Sequence, residues 1–188
     1  MKSIRVAALT ALLSAAAAAP ALADGFFTPF IGYNFGGDSA NCLTLTNCQE
    51  KRTNFGVSFG SAGSVVGFEE DISYAKDFFG KAPDTDTSVL TLMSNMLIGV
   101  PGGPVRPYVV GGIGLVRPHV SLSNGLLGAS SNALGYDLGV GLNIMFGSHV
   151  GVRGDLRRFK TFKDLDLLVF SGEKLSYWRA SAGLALGF

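Results

Sequence analysis

The last fourteen residues, 175–188 (LSYWRASAGLALGF), alternate without a break. Trp178, Ala180, Ala182, Leu184, Leu186 and Phe188 fall on one face, and Arg179, Ser181, Gly183, Ala185 and Gly187 on the other. Side chains with a period of two belong to a β-strand; a helix would mix the two sets. One face is wholly apolar and ends on a terminal phenylalanine. The other is small and polar and carries one arginine. Such a strand suits a wall with hydrocarbon outside and a narrow polar interior.

The start of the chain points to export. Lys2 and Arg5 precede an apolar stretch over residues 6–19, followed by Pro20 and the small-residue pattern Ala21-Leu22-Ala23. This is the pattern of a secretory signal peptide, residues 1–23, with a mature domain over 24–188. The stretch is shorter than the roughly 20 residues a spanning helix needs. Losing Lys2 and Arg5 leaves thirteen basic residues against fourteen acidic ones, a formal charge of −1. Nucleic-acid binding, which wants a clustered positive surface, is not expected. Every later apolar run is interrupted by glycine or polar residues, so any crossing of a membrane must be made by a closed barrel.

The strand pattern recurs about eight times. Phe27, Ile31 and Tyr33 alternate with Thr28, Gly32 and Asn34; Phe55, Val57 and Phe59 with Asn54, Gly56 and Ser58. Val66, Phe68, Ile72 and Tyr74 alternate with Gly67, Glu69, Asp71 and Ser73, and Leu90, Leu92, Met96 and Ile98 with Thr91 and Asn95. Val109, Ile113 and Leu115 oppose Tyr108, Gly112 and Gly114. The sixth repeat opposes Tyr136, Leu138, Val140, Leu142, Ile144 and Phe146 to Asp137, Gly139, Gly141, Asn143 and Met145; the seventh opposes Val150, Val152 and Leu156 to Arg153, Asp155 and Arg157. Two residues break the rule: Glu70 and Ser94 fall on apolar faces. A β-bulge or a place near the membrane edge would accommodate Glu70.

The connections alternate in length. Residues 61–64, 101–105 and 147–149 are short; residues 37–53, 76–88, 118–133 and 163–174 are long. Short periplasmic turns and long outer loops are the asymmetry of an outer-membrane barrel. The interior of an eight-stranded barrel is just wide enough for side chains to fill. The small and ionic set fits that space, and the bulky set does not. Glu69, Asp71, Arg153, Asp155, Arg157 and Arg179 are therefore expected in the interior as a neutral network of ion pairs, since an isolated buried charge costs several kcal/mol. Aromatic residues cluster near strand ends (Phe26, Phe27, Tyr33, Phe35, Tyr74, Tyr108, Tyr136, Phe146, Tyr177, Trp178 and Phe188), and those of them on the lipid face are candidates for interfacial girdles.

In segments 28–38 (TPFIGYNFGGD), 66–80 (VGFEEDISYAKDFFG), 106–118 (RPYVVGGIGLVRP), 150–162 (VGVRGDLRRFKTF) and 177–188 (YWRASAGLALGF), the chain resembles the eight-stranded outer-membrane β-barrel family of the OmpA transmembrane domain and the opacity-type porin-like proteins. The resemblance implies an all-β, antiparallel, up-and-down transmembrane barrel placed in the outer membrane. It also implies insertion by the barrel-assembly machinery, with Tyr177, Trp178, Leu184, Leu186 and Phe188 as the terminal assembly signal. The peptidoglycan-binding domain of full OmpA-type proteins is not expected, so no cell-wall tether is implied.

Chemistry beyond the barrel is sparse. Cys42 and Cys48 lie in the first long loop of an exported chain, where a disulfide is expected to stabilise it by roughly 2 kcal/mol. A metal site is the weaker reading of the pair, because no His or further Cys flanks it. His119 and Ser121 would share an outward face if their strand continues, a pairing that resembles lipid A deacylases; a carboxylate must then orient the histidine, and the nearest, Asp137, should face inward. No catalytic residue, cofactor or metal ligand is assigned. The expected partners are outer-membrane lipid and a partner of the surface loops, which include the apolar Leu165, Leu167, Leu168, Val169 and Phe170. The expected function is a structural or surface-interaction role, with a narrow pore as the alternative and a lipid A-modifying enzyme as a more distant one.

Overall fold

The computed structural model describes residues 24–39, 49–50, 52–81, 85–122, 127–162, 165–166 and 171–188. The segment 1–23, Cys42, Cys48 and residues 167–170 lie outside them. Eleven strands occur among the described residues: β1 (Asp24–Phe35), β2 (Thr53–Ala62), β3 (Val66–Lys76), β4 (Thr85–Gly99), β5 (Val105–Leu122), β6 (Leu127–Ser130), β7 (Ala133–Met145), β8 (Val150–Thr161), β9 (Leu165–Asp166), β10 (Ser171–Glu173) and β11 (Ser176–Gly187).

Eight of them close a barrel. The sheet runs β4-β3-β2-β1-β11-β8-β7-β5, and β4 pairs with β5 to complete the ring. Each long strand pairs antiparallel with the next long strand in the chain, a meander, and β1 pairs with β11. Following register partners once round, from Arg117 on β5 through Leu90, Tyr74, Phe55, Ile31, Ala182, Gly154 and Leu142, returns to β5 at Pro107. That stagger of ten residues fixes a strand tilt of roughly 40°, since strand number, stagger and tilt are linked.

The orientation follows the alternation. Phe55, Phe68, Ile113, Leu138, Leu142 and Leu184 are exposed on the outer wall, while Asp71, Asp137, Arg157 and Arg179 are buried inside. A wall that turns its largest apolar side chains outward is stable only in contact with hydrocarbon. The tight turn between β4 and β5 is made by Gly102 and Gly103, both at positive φ (97° and 76°), where a Cβ would be strained.

Several expectations need correction. The connection expected over 118–133 is in large part strand: β5 runs on to Leu122, and β6 pairs with its outer end. β4 likewise starts at Thr85, inside the loop expected over 76–88. β9 and β10 form a two-stranded sheet within residues 163–174. Glu70 is not re-aimed by a bulge. The β3–β4 register is continuous from Val66↔Ile98 to Lys76↔Ser88, so Glu70 stays on the outer face, directly opposite Ser94.

Candidate functional site

The lumen is the site that the fold constructs. All six residues expected there are brought together, and their strands explain how. Arg153, Asp155 and Arg157 stand at alternate positions of β8 and face glycines: Gly139 and Gly141 on β7, and Gly183 on β11. Gly139 and Gly141 leave room for two lumenal side chains, Arg157 and Tyr108. A Cβ at Gly139 would lie 2.8 Å from Arg157 Cγ, and one at Gly141 would run into the Tyr108 ring.

Arg157 is the hub. Its Nη1 donates to Glu69 Oε1 at 2.7 Å and its Nη2 to Asp155 Oδ1 at 2.8 Å, with Asp137 Oδ2 at 3.4 Å and Asp71 Oδ2 at 3.8 Å from Nη1. Arg179 clamps Asp71 with both terminal nitrogens, at 2.9 and 2.7 Å, and donates to Ser73 Oγ at 2.9 Å. Such two-point contacts are among the stronger hydrogen bonds a protein makes. Arg153 pairs with Glu69 and with Asp155, the latter at 3.0 Å. Tyr108 joins this end: Arg153 Nε donates to its Oη at 2.6 Å, and its hydroxyl donates to Asp155 Oδ1 at 2.5 Å. Ser58 and Asn95 donate to Asp71 and Glu69.

Two arginines also stack on rings. The Arg179 guanidinium carbon lies 4.7 Å from the Phe30 centroid and 4.8 Å from that of Phe159; that of Arg153 lies 4.9 Å from Tyr108 and 5.3 Å from Phe26. Desolvated cation–π contacts add to the ion pairs. Arg157 and Arg179 are register partners, a like-charge pair tolerated because carboxylates surround it. The network is not the neutral set of three acids and three bases expected from sequence. Asp137 is a fourth carboxylate, fully buried, against three guanidinium groups.

Above the network the lumen is apolar, which the expectation of a small, polar interior did not include. Phe78 and Phe79 follow the end of β3 and turn inward. Phe78 meets Tyr177 edge to face at 4.8 Å, and Tyr177 stacks on Phe159 at 5.0 Å. Ala75, Val89, Met93, Val116, Val120, Ala133 and Leu175 complete this buried cluster. The segment KDFFG carried the signal, two adjacent aromatics just past a strand end.

The aromatic residues therefore divide. Phe27, Tyr33, Tyr74, Phe146 and Phe188 are exposed on the outer wall, and Phe35 stacks on Trp178 at 6.4 Å. Phe26, Tyr108 and Tyr177 face the lumen and are not girdle residues. Of the expected assembly signal, Trp178 and Leu184 face outward and Tyr177 sits in the plug. Phe188 exchanges two backbone hydrogen bonds with Gly25, both 2.9 Å, at the β1–β11 seam. His119 is exposed on the outward face of β5. Asp137 does not orient it, being held in the lumen against Arg157.

The family model for the outer membrane protein beta-barrel domain matches residues 6–188. The chain belongs to this family. Its members' architecture places the protein in the outer membrane. No curated protein matches the chain in sequence. Among solved structures it is similar to Neisserial surface protein A (17% identity, 87% of this chain and 97% of that one, TM-score 0.65). It is also similar to outer membrane protein H (OprH) of P. aeruginosa (16%, 88% and 100%, 0.58) and to a major outer membrane protein of Thermus thermophilus (15%, 88% and 99%, 0.57). Identities this low carry the shared fold and nothing finer.

Proposed function

We propose that this outer-membrane barrel is a non-conducting, non-enzymatic scaffold whose specific role lies in its surface loops, as a structural or surface-interaction protein. One observation carries the reading: ion pairs occupy the middle of the lumen, and the Phe78–Tyr177–Phe159 cluster occupies its outer end. Fully buried side chains in a barrel this narrow leave no continuous aqueous path. Loops on a rigid scaffold are where partner contacts concentrate. On this reading residues 1–23 are removed on export, Cys42 and Cys48 form a disulfide, and the barrel-assembly machinery recognises the strand that ends at Phe188.

Planar-bilayer recording tests it. The purified barrel is expected to give no stable conductance steps. Steady single-channel steps from wild type would overturn the scaffold reading in favour of the pore. Release of fatty acid from lipid A by wild type, lost in His119→Ala, would overturn it in favour of the enzyme.

A further inference from the structure

Among the described residues the outer wall holds one carboxyl group where hydrocarbon is expected. Glu70 lies four residues along β3 from Tyr74, in the aromatic belt, and four from Val66 towards the periplasmic end. At the tilt of this barrel four residues advance about 10 Å along the axis. Glu70 therefore lies close to the middle of an apolar band about 25 Å tall. Ser94 faces it from β4, and its hydroxyl lies 2.9 and 2.8 Å from the two carboxyl oxygens. Around the pair stand the exposed Phe59, Phe68, Leu92, Met96 and Ile113. The arginines of the lumen are on the far side of the wall and bind Glu69 instead.

The hydrogen-bond count does not close. Ser94 has one proton to give, and it is the one donor to Glu70 among the described residues. A carboxylate has about four acceptor sites; a neutral carboxyl group has a donor of its own as well. Lipid tails satisfy neither, and an unsatisfied polar group in hydrocarbon is costly. Ionisable groups at this depth mark function and call for a partner.

We propose that Glu70 and Ser94 form the centre of a contact between two copies of this barrel in the bilayer. A two-fold axis along the membrane normal brings Glu70 of each copy to the same depth, because such an interface presents the same patch from both sides. A neutral carboxyl group both donates and accepts, so two of them facing each other complete the count that one leaves open. The Ser94 oxygen keeps a free lone pair for the same contact. The apolar collar packs around the polar centre and keeps out lipid headgroups and water. A different membrane protein would need its own donor at this depth.

The test is energy transfer between donor- and acceptor-labelled copies of the full barrel, refolded into phosphatidylcholine vesicles over a range of dilutions. Wild type is expected to associate reversibly. Glu70→Leu should weaken association about tenfold, the change expected from one hydrogen-bonded contact in a bilayer. Glu70→Gln, which still donates and accepts, should stay close to wild type. A heat-modifiability gel on each variant separates lost association from lost folding. Wild type that stays monomeric at every dilution overturns the proposal, as does association that Glu70→Leu leaves unchanged. Photo-crosslinking from position 96 in native outer membranes should give adducts of twice the barrel mass. Adducts formed solely with another protein overturn the second copy as occupant.

Discussion

Replacing Arg157 by methionine removes the positive charge at the centre of the lumen and keeps an unbranched, flexible side chain in its place. The guanidinium is fully buried. It contacts Glu69 and Asp155 at 2.7 and 2.8 Å, with Asp137 and Asp71 at 3.4 and 3.8 Å. Without it four carboxylates face two guanidinium groups. Arg153 still holds Glu69 and Asp155, and Arg179 still holds Asp71. Asp137 is the group left stranded, since Arg157 is its ion-pair partner among the described residues. Breaking a buried pair from one side costs about 3–5 kcal/mol, because a charge remains without compensation. Set against a total stability of about 5–15 kcal/mol, that is a large fraction.

The measurement is urea unfolding in lipid vesicles, followed by emission from Trp178, the one tryptophan of the chain. With a slope of about 2 kcal/mol/M, the midpoint should fall by about 2 M. Arg117→Met, at an exposed position on the outer face of β5, serves as control and should shift stability by about 0.5 kcal/mol or less. Adding Asp137→Asn to Arg157→Met should recover part of the loss, since removing both partners costs less than removing one. A coupling energy of about 1–3 kcal/mol is expected from the cycle. If Arg157→Met shifts the midpoint no more than Arg117→Met, the lumenal network does not stabilise the barrel.

Three further outcomes are expected. Gly114→Val should destabilise the barrel by about 3 kcal/mol, because its Cβ would enter the β4 backbone at Leu92 and Met93, where no side chain can yield; equal urea midpoints would refute this. Deleting Phe188 should lower the folded, heat-modifiable fraction in outer-membrane preparations, because its two backbone bonds to Gly25 help close the β1–β11 seam; an unchanged fraction would count against that role. Phe78→Ala should cost about 3–5 kcal/mol of stability while giving no stable bilayer conductance, since the ion pairs still fill the lumen. Steady current from this variant would show that the plug alone holds the path shut.

The barrel was legible because one physical contrast sets it. Hydrocarbon outside and a crowded axis within impose opposite demands on alternate residues, and the last strand states both at once: Trp178, Leu184 and Phe188 against Arg179 and Gly183. Parity alone placed Glu69, Asp71, Arg153, Asp155, Arg157 and Arg179 inside. Parity also puts Asp137 inside, a fourth inward acid against three arginines and one more than the neutral set of six holds. Residue type alone would put Phe26, Tyr108 and Tyr177 in the girdles, but Tyr108 and Tyr177 alternate with outward neighbours. Where type and parity conflict in a closed barrel, parity prevails, because the backbone fixes direction and an aromatic ring can serve either side. The outer ends of β4 and β5 resemble loop in sequence for a related reason. Asp86, Ser88, Arg117 and His119 are polar on the outward face, which is what a strand carries once it has left the bilayer.

Glu70 and Ser94 mark the limit of such reading. Each was visible as an exception to its own strand, and nothing in either strand shows that the two exceptions meet. Pairing depends on register, which is tied to the ten-residue stagger of the whole ring. A slip of one residue would have turned Glu70 into the lumen beside three arginines and driven Phe68 and Ile72 in with it. The rest of β3 therefore holds the carboxyl group on the outer wall, through the burial of Glu69, Asp71 and Ser73 on the other face. Its position is imposed by its neighbours, and Ser94 answers it with a single proton. That imbalance is a property of the folded ring alone, which is why the contact proposed between two barrels comes from the structure and had no counterpart in the sequence.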